Sequence, residues 1–272
     1  MVRGLYSAWT GMQNEQKRLD VIANNLANSA TVGYKKEGVT SQAFDDELAI
    51  KIRDASVDWR REGIGTMSPG VKIGEVYTDY RGGSLRQTGN TFDFAIDGDG
   101  FFAVRMPDGT TAYTRNGSFG LARNSDGSIC IANSEGYQLL DDKGAVIRFE
   151  ATQDTAQISI DANGNICYPD AKGNSQPTGV KIGLTQFNNP AGLLKIHGSL
   201  FQVTEASGAP RLESTDTALK QSRILTKYLE ASNVHTADEI VNLIVTQRAY
   251  EMNSKVINAS DEMLQQANNL RG

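Results

Sequence analysis

The chain has 272 residues, of which 39% are hydrophobic and 22% are charged, so it is long enough for one large domain or two small ones. Its 27 Lys and Arg residues stand against 32 Asp and Glu residues, a formal charge of -5, and no basic block would neutralise a phosphate backbone. This charge balance argues against nucleic acid as a partner. No run of about 18 apolar residues occurs, and the segment from Met1 to Ser7 lacks an apolar core of signal-peptide length. We therefore expect neither membrane insertion nor export with a cleaved signal peptide.

The two cysteines, Cys130 and Cys167, are too few for a disulfide scaffold, and neither has the spacing of a metal ligand. The simplest interpretation is that both are small strand residues. The 27 glycines and an aromatic content of only 7% are typical of a turn-rich β domain. These features point to neither a metal site nor a compact enzyme, and no cofactor is expected.

Apolar residues near the beginning of the chain recur at steps of three and four, which predicts an amphipathic helix over residues 3 to 28. The apolar residues of this segment are Leu5, Trp9, Met12, Leu19, Ile22, Ala23 and Leu26. Asn and Gly tolerate the left-handed conformation of a helix C-cap, so the segment that holds Asn28 and Gly33 is expected to end the helix.

The other end of the chain shows a similar pattern in seven-residue steps, which predicts a helix over about 237 to 268. The seven-residue series is Leu243, Tyr250, Ile257 and Leu264, with Ala249, Val256, Met263 and Leu270 beside it. Thr236 can cap the free amides of the first turn, and Glu239, three residues later, completes the pattern of a capping box.

The residues between the two helices have a different character. Apolar residues at helical spacing predict a short helix over 41 to 55, and the glycines that follow indicate an extended segment over 56 to 90. Thr91 to Ile96 alternates between apolar and polar residues, and the turn-forming residues 97 to 100 then lead into the apolar residues 101 to 104. This pattern predicts a β-hairpin.

Turn-forming residues continue to recur as far as residue 210, which predicts a mostly antiparallel β region over about 71 to 225. The predicted turns lie at 107 to 109, 124 to 127, 141 to 144, 163 to 165 and 206 to 210. The predicted fold class is α+β, with the long terminal helices pairing as a coiled-coil-like layer. The predicted domains are a helical domain of 1–35 with 228–272, a linker at 36–90 and a β domain at 91–227.

The two helical stripes need a cover, because they lie at opposite ends of the chain with about 200 residues between them. If the helices pack on each other, each buried Leu, Ile or Met contributes roughly 1.5 to 3 kcal/mol. Polar residues within the stripes, Gln16, Gln247 and Ser254, favour one register. Apolar area that stays uncovered predicts contact with other copies, and contacts that do not close into a ring build a helical tube. An ordinary two-helix layer on a soluble monomer is the alternative.

Four sequence blocks resemble the flagellar rod and hook proteins of bacteria. They are Ala23 to Lys35, with its Asn-Asn-Leu-Ala-Asn and Thr-x-Gly-aromatic-Lys sequences, Ala95 to Phe102, Tyr113 to Phe119, and Leu229 to Val234 leading into Gln247 to Lys255. The blocks occur in the family's order at both ends and in the centre of the chain. The motif residues in these blocks are Asn24, Asn25, Leu26, Ala27, Asn28, Gly33, Gly98, Gly100, Phe101, Phe102, Gln247, Arg248, Ala249 and Tyr250.

The resemblance implies a structural subunit and no catalytic residues. Such a subunit polymerises into a coaxial tube that transmits torque and conducts exported subunits, with paired terminal helices inside and β domains outside. Its implied partners are further copies of itself, adjacent rod and hook proteins, a ring bushing and the flagellar type III export apparatus. The implied location is the flagellar basal body outside the cytoplasmic membrane.

Length and the carboxy-terminal block favour the distal-rod members of the family. Residues 36 to 90 depart most from the family's pattern, so a proximal rod or hook-like member stays open. The resemblance and the helical stripes together place an assembly interface at Leu5, Trp9, Met12, Leu19, Ile22, Leu26, Leu243, Tyr250, Ile257 and Leu264.

Three other classes of function were weighed against this interpretation. Asp97 to Gly100 has the closely spaced carboxylates of a calcium loop, but the twelfth residue is Asp108 instead of a bidentate Glu. A peptidoglycan hydrolase would need two carboxylates across a cleft, and the acidic residues here lie mainly in turns beside Gly. An adhesin would need an exposed aromatic patch, whereas the tyrosines of the β region are scattered. These tyrosines are Tyr77, Tyr80, Tyr113, Tyr137 and Tyr168.

Overall fold

The computed structural model describes residues 2–45, 47–50, 63–124, 127–149, 158–161, 163–169, 175–216 and 219–269. The chain divides into two compact units, which we call the helical unit and the β unit. The helical unit consists of Met1–Ala27, Glu37–Thr78 and His235–Gly272, and the β unit consists of Asn28–Lys36 and Asp79–Val234.

The helical unit holds two long helices and a narrow β ribbon. Its elements are α1 (Val2–Ala27), β1 (Glu37–Ala43), β2 (Glu47–Ile50), β3 (Gly63–Met67), β4 (Val71–Thr78) and α2 (Thr236–Asn269). The helices contact each other, and β1 and β4 contact α1. The two predicted helices are confirmed, and their ends differ from the prediction by one residue each.

The ribbon pairs β1 with β4 and β2 with β3, in both cases antiparallel. A bulge interrupts the first pair at Thr40, whose hydroxyl accepts a hydrogen bond from the Glu75 amide at 2.8 Å and donates to the Glu75 carbonyl at 3.1 Å. These two bonds replace ladder bonds that the bulge displaces.

The short helix predicted for 41 to 55 is wrong over its described part, because β1 and β2 cover most of residues 41 to 50. Residues 51 to 55 lie outside the described residues.

The β unit is built from short strands. They are β5 (Leu85–Gln87), β6 (Phe94–Asp97), β7 (Phe101–Arg105), β8 (Thr111–Thr114), β9 (Phe119–Arg123), β10 (Ile129–Asn133), β11 (Gln138–Leu139), β12 (Arg148–Phe149), β13 (Ser159–Ile160), β14 (Asn165–Pro169), β15 (Ser175–Lys181), β16 (Leu184–Gln186), β17 (Leu194–Lys195), β18 (Leu200–Gln202), β19 (Arg211–Leu212), β20 (Arg223–Thr226) and β21 (Tyr228–Glu230). A 3-10 turn at Pro190–Gly192 precedes β17. The main sheet runs β12-β10-β11-β7-β8-β18-β17, with β9 paired to β10 and β16 paired to both β7 and β19.

Strand β7 lies in the centre of this sheet and is buried on both faces. Phe102 and Val104 point into one apolar core, and Phe101 and Ala103 point into a second core on the opposite face. Alternate side chains of a strand point to opposite faces, so a strand with two covered faces reads as a continuous apolar run. The run Phe101 to Val104 is therefore explained by burial.

The predicted β-hairpin over 91 to 104 is wrong in its pairing. Both strands exist as β6 and β7, but β6 pairs with β20 in a separate two-stranded sheet, and β7 pairs with β8, β11 and β16. The turns at 107 to 109 and 141 to 144 are confirmed, with φ of 84° at Gly109 and 77° at Gly144. The described strand pairs are all antiparallel, which confirms an α+β fold with a mostly antiparallel centre.

The two units divide the chain differently from the segments expected from sequence. Residues 28–36 belong to the β unit, although they directly follow α1, and residues 37–78 belong to the helical unit instead of forming a linker. The chain therefore passes between the units four times.

Cys130 and Cys167 are free thiols on β10 and β14, and burial raises the pKa of Cys130.

Candidate functional site

One face of α2 packs against α1. Its residues recur at steps of four and three and are buried or partly buried: Glu239, Leu243, Thr246, Tyr250, Asn253, Ile257 and Ser260, which we call the inner stripe. Two of them contact α1 directly. Glu239 accepts a hydrogen bond from Asn25, and Asn253 lies next to Gly11. This spacing places the stripe along one side of the helix.

The inner stripe alternates between apolar and polar residues. Thr246, Asn253 and Ser260 alternate with the apolar series that begins at Leu243, and Ser260 satisfies its hydroxyl on the Val256 carbonyl at 2.8 Å. Half of the face therefore contributes little apolar burial. Gln16 and Gln247 are exposed in the single chain, so neither lies in the covered contact of α1 with α2, and their effect on the register stays a prediction. Ser254 is partly buried.

The side-chain amide of Asn25 joins three elements of the helical unit. Its Nδ2 donates to the Glu37 carbonyl at 2.8 Å and to Oε2 of Glu239 at 3.3 Å, and its Oδ1 accepts from the Glu37 amide at 2.9 Å. Asn25 and Glu239 are each only 1% exposed. The amide pairs with the Glu37 backbone as a neighbouring strand would, so the end of α1 is tied to both β1 and α2.

A second stripe of α2 is apolar and exposed. It consists of Val241, Val245, Met252, Val256 and Met263, which we call the outer stripe. At 100° per residue, it lies roughly 120° around the helix axis from the inner stripe and extends for about 33 Å. Val245 is 62% exposed and Met252 is 60% exposed. A row of exposed apolar side chains of this length is characteristic of a protein–protein contact surface.

The structure distributes the predicted interface residues over both exposed and covered positions. Ile22 is buried and Trp9 is exposed, whereas Leu5, Met12, Leu19 and Leu26 are partly buried. In α2, Leu243, Tyr250 and Ile257 lie on the inner stripe, and Leu264 continues its direction but is exposed. Sequence reasoning missed the outer stripe, although Val256 and Met263 were visible beside the seven-residue series.

The β unit brings three of the motif blocks together in one buried cluster. Lys35 follows the first helix, Arg115 follows β8, and Glu230 ends β21. Nζ of Lys35 lies 2.6 Å from Oε1 of Glu230, and Nη1 of Arg115 lies 3.5 Å from Oε2 of the same carboxylate. The three side chains are between 1% and 3% exposed. We call these residues the Glu230 cluster.

The electrostatics of this cluster follow from two buried cations that share one carboxylate. Burial lowers the pKa of Lys35, and the attraction of Glu230 opposes that shift. Burial likewise lowers the pKa of Arg115, again opposed by Glu230. Each cation also donates to one backbone carbonyl: Lys35 Nζ to Arg81 O at 2.9 Å, and Arg115 Nη2 to Gly98 O at 2.8 Å. The guanidinium of Arg115 also lies 5.0 Å from the ring centroid of Phe101, which adds a cation–π contact.

The motif glycines are required by close packing. Gly33 has a φ of 67°, and a Cβ there would lie 2.5 Å from the Asn116 amide nitrogen. Gly98 has a φ of 146° and lies against Ser222, while Gly100 lies against both Ser222 and Glu213. Phe101 and Phe102 are buried core residues. The remaining motif residues lie on the helices or just after α1: Asn24, Ala27, Gln247 and Arg248 are exposed, and Leu26, Asn28, Ala249 and Tyr250 are partly buried.

The features that suggested other functions have structural roles. The Gly98 carbonyl, a potential calcium ligand, accepts a hydrogen bond from Arg115, whose positive charge disfavours a cation at the same oxygen. Within the described ranges, no group of three or more His, Cys, Asp or Glu side chains could hold a metal ion. Tyr113 is buried and Tyr80 is partly buried, so the tyrosines do not form one exposed patch. None of the helices in the described part of the chain is long and apolar enough to cross a bilayer.

Three family models match the chain, in the order amino-terminal, central and carboxy-terminal. The model for flagella basal body rod proteins matches residues 5–35, and the D1 domain model of the flagellar hook proteins FlgE, FlgF and FlgG matches residues 95–168. The carboxy-terminal model of the flagellar basal body rod proteins FlgE, FlgF and FlgG matches residues 225–270. The Glu230 cluster takes one residue from each of these three regions.

Curated relatives match along the full chain. The flagellar basal-body rod protein FlgG of Bacillus subtilis is 38% identical and the match covers 100% of both chains. FlgG of Caulobacter vibrioides is 38% identical over 99% of this chain and 100% of its own length. The flagellar basal-body rod protein FlgF of Mesorhizobium japonicum is 30% identical over 97% of each chain. The chain therefore belongs to the flagellar basal-body rod protein family.

Proposed function

We propose that this protein is a structural subunit of the flagellar basal-body rod, of the distal-rod type, and that copies of it polymerise into a helical tube. FlgG relatives match at 34% to 38% identity and the FlgF relative at 30%, which favours the distal type over a proximal one. The structural observation that carries the proposal is the outer stripe of α2, because a single chain leaves it exposed.

The partner that covers the outer stripe is a helix of another copy of this chain. The stripe repeats at steps of four and seven along one side of α2, which is the pattern of a helix–helix contact. The inner stripe is already occupied by α1 and is half polar, so contact between copies gains more from the outer stripe. A contact between two different faces of neighbouring copies builds a ring if its rotation closes and a helical filament if it does not, and the rod requires the second outcome.

The coiled-coil-like layer belongs to the same proposal. The inner stripe has the four-three spacing of a two-helix seam, and the outer stripe adds the contact that joins one helix pair to the next. The predicted interface residues Leu243, Tyr250 and Ile257 then stabilise the helix pair, and Val245 and Met252 stabilise the polymer. Trp9 and Leu264, both exposed, are available to either contact.

The family supports the remaining partners and the location. We propose that the tube contacts adjacent rod and hook proteins and a ring bushing, and that it conducts exported subunits and transmits torque. We also propose that the subunit leaves the cell through the flagellar type III export apparatus without a cleaved signal peptide and assembles outside the cytoplasmic membrane. The names of the matched models and relatives, which refer to rod and hook proteins, support the rod and hook neighbours and the basal-body location.

The test compares Met252→Asp on the outer stripe with Asn258→Asp, an exposed α2 position away from both stripes. Each substitution adds one negative charge. Met252→Asp is expected to abolish rods in isolated basal bodies and swimming, because a charge would be buried between copies, while the monomer keeps its circular dichroism spectrum. Asn258→Asp is expected to assemble normally.

Ile257→Asp tests the inner stripe of α2 separately from the outer stripe. Ile257 lies on the inner stripe, so its replacement by Asp is expected to loosen α2 in the monomer, seen as faster hydrogen exchange, as well as to block assembly. Normal rods in the Met252→Asp variant would contradict the outer stripe as the polymer contact. Normal rods and swimming in cells that lack this chain altogether would contradict the rod assignment itself.

A further inference from the structure

The chain enters or leaves the β unit at four points, near residues 28, 36, 79 and 234. Any force that passes between the helical unit and the β unit along the chain must run through these four passages. The segments of the β unit next to these points are 28–36, 79–84 and 229–234. Hydrogen bonds within the β unit join all three segments.

Backbone and amide groups form the first part of this network. The Lys36 amide donates to Asn233 Oδ1 at 2.7 Å, and the Lys36 carbonyl accepts from the Asp79 amide at 2.8 Å. Asn233 Nδ2 in turn donates to the Asp79 carbonyl at 2.8 Å. The Gly33 amide donates to the Glu230 carbonyl at 2.8 Å. Each of the three segments is therefore bonded to the other two.

The carboxylate of Glu230 forms the second part. Its Oε1 accepts from Lys35 Nζ at 2.6 Å, in the first segment, and from the Gly83 amide at 2.9 Å, in the second. Its Oε2 faces Arg115, whose guanidinium donates to the Gly98 carbonyl after β6. One buried carboxylate thus connects the passages to each other and to the body of the β unit.

Stability alone is a poor explanation for such a cluster. Desolvation of buried charges offsets much of their attraction, and well-packed apolar residues often replace a buried ion pair without loss of stability. Charged groups do, however, make directional hydrogen bonds that apolar side chains cannot make. The cluster therefore holds particular segments in particular positions.

We propose that Glu230 and Asn233 form a mechanical clamp, in which their bonds to the other two segments share an applied force. Force on any one passage is then distributed over the others and over Arg115, so that the segments do not peel away from the β unit one at a time. This inference rests on the proposed function, because the load is the torque that a rod carries. Glu230 and Asn233 act as positioning residues.

The first test uses the soluble chain, so it does not depend on assembly. Asn233→Ala removes the side-chain bonds to Lys36, Asp79 and Arg81, and hydrogen exchange is measured over 29–36 and 79–84. Exchange in both segments is expected to become about tenfold faster, while the amides of β7 and β8 keep their protection. Arg211→Met is the matched control, because it removes an ion pair of the β unit, that with Asp216, away from the passages.

A second variant separates the clamp from folding stability. Lys35→Met, Arg115→Met and Glu230→Leu together remove every charge of the Glu230 cluster at similar volume, so no unpaired charge stays buried and the melting temperature is expected to fall less than in Glu230→Leu alone. Cells carrying this variant are expected to assemble rods and swim in dilute medium, and to lose motility as the viscosity of the medium is raised. Cells with Arg211→Met are expected to swim like the wild type at every viscosity.

The outcomes distinguish the clamp from the proposed function. Wild-type exchange rates in Asn233→Ala over 29–36 and 79–84 would overturn the clamp, whatever the rods do. Full motility of the triple variant at high viscosity would also overturn it. If wild-type chains form no rods, the proposed function fails, and the exchange measurement still reports on the connection between the segments. If the triple variant does not fold, Asn233→Ala is tested at high viscosity in its place.

Discussion

Gly11 of α1 faces the side chain of Asn253 on α2 across the helix pair, and a Cβ atom at residue 11 would lie 3.0 Å from Nδ2 of Asn253. The glycine therefore lets the two helices approach closely at a polar position of the inner stripe. Asn253 is a flexible side chain, so a larger residue at position 11 displaces the side chain and leaves the backbone in place.

This contact predicts that the effect of Gly11→Ala depends on residue 253. Alanine in a helix interior stabilises by roughly 0.5 to 1 kcal/mol relative to glycine, and in the wild type the crowded amide offsets part of that gain. In an Asn253→Ala background the full gain is expected. Urea unfolding of the four variants of the cycle measures the coupling. Equal gains in both backgrounds would mean that the two residues do not interact.

The hydrogen bonds of Asn25 predict that a change of one side-chain atom alters the unfolding free energy more than Gly11→Ala does. Asn25→Asp removes the donor to the Glu37 carbonyl and places a second buried carboxylate beside Glu239, so a loss of about 3 kcal/mol in unfolding free energy is expected. Adding Glu239→Gln restores a donor at that contact and is expected to recover part of the loss. Chemical denaturation of the single and double variants measures both effects.

The neighbouring Asn24 provides the control for this prediction. Asn24 is exposed, so Asn24→Asp is expected to change the unfolding free energy by less than about 0.5 kcal/mol. If Asn24→Asp and Asn25→Asp lowered the unfolding free energy by similar amounts, the loss could not be assigned to the hydrogen bonds of Asn25.

The ion pair of Asp79 with Arg81 predicts a dependence on pH. Hydrogen bonds from the Arg81 guanidinium lower the pKa of Asp79 from its ordinary value of 3.8. A carboxylate whose pKa is lower in the folded state binds protons more readily when unfolded, so it stabilises the fold above pH 3.8 and loses that contribution as the pH falls through the folded pKa. Asp79→Asn is therefore expected to be less stable than the wild type at pH 7.

The expected size of this effect is at most about 1 kcal/mol, because the Arg81 side chain is largely exposed and solvent screens the pair. Thermal unfolding of both proteins between about pH 2 and pH 7 checks the prediction, and the two stability curves should meet at the acid end. In an Arg81→Met background the difference should shrink at neutral pH. If the wild type and Asp79→Asn differed in stability by the same amount at every pH, the effect of the substitution would come from packing and not from the ion pair.

Regular local patterns were the most reliable guide in this chain. The spacing of apolar residues defined both terminal helices to within a residue at each end, since helical periodicity is local and both segments are long. Glycine-containing turns such as that at Gly109 were also predicted, because a positive φ is a property of a few adjacent residues. The short helix over 41 to 55 failed, since apolar residues at helical spacing did not reveal that β1 pairs with β4, some 30 residues later.

Strand pairing shows why local patterns were insufficient elsewhere. The predicted partner of β6 was the next strand, whereas Phe94 pairs with Thr226, far along the chain. A turn sequence between two strands favours a hairpin but does not require it, because the edges of β7 pair with β8, β11 and β16 instead. The Glu230 cluster was missed for the same reason, as Lys35, Arg115 and Glu230 come from distant segments.

The sequence by itself determined the α+β class, the two terminal helices and, through the motif blocks, the family of structural rod proteins. It did not determine which side of α2 is covered, because α2 carries two apolar series that periodicity alone treats as equivalent. The tertiary structure decided this through the contacts of Glu239 with Asn25 and of Asn253 with Gly11, which turn the half-polar face toward α1 and leave the more apolar face exposed. The physical reason is that burial depends on which distant groups can meet with satisfied hydrogen bonds, and that information lies in pairs of residues far apart in the chain.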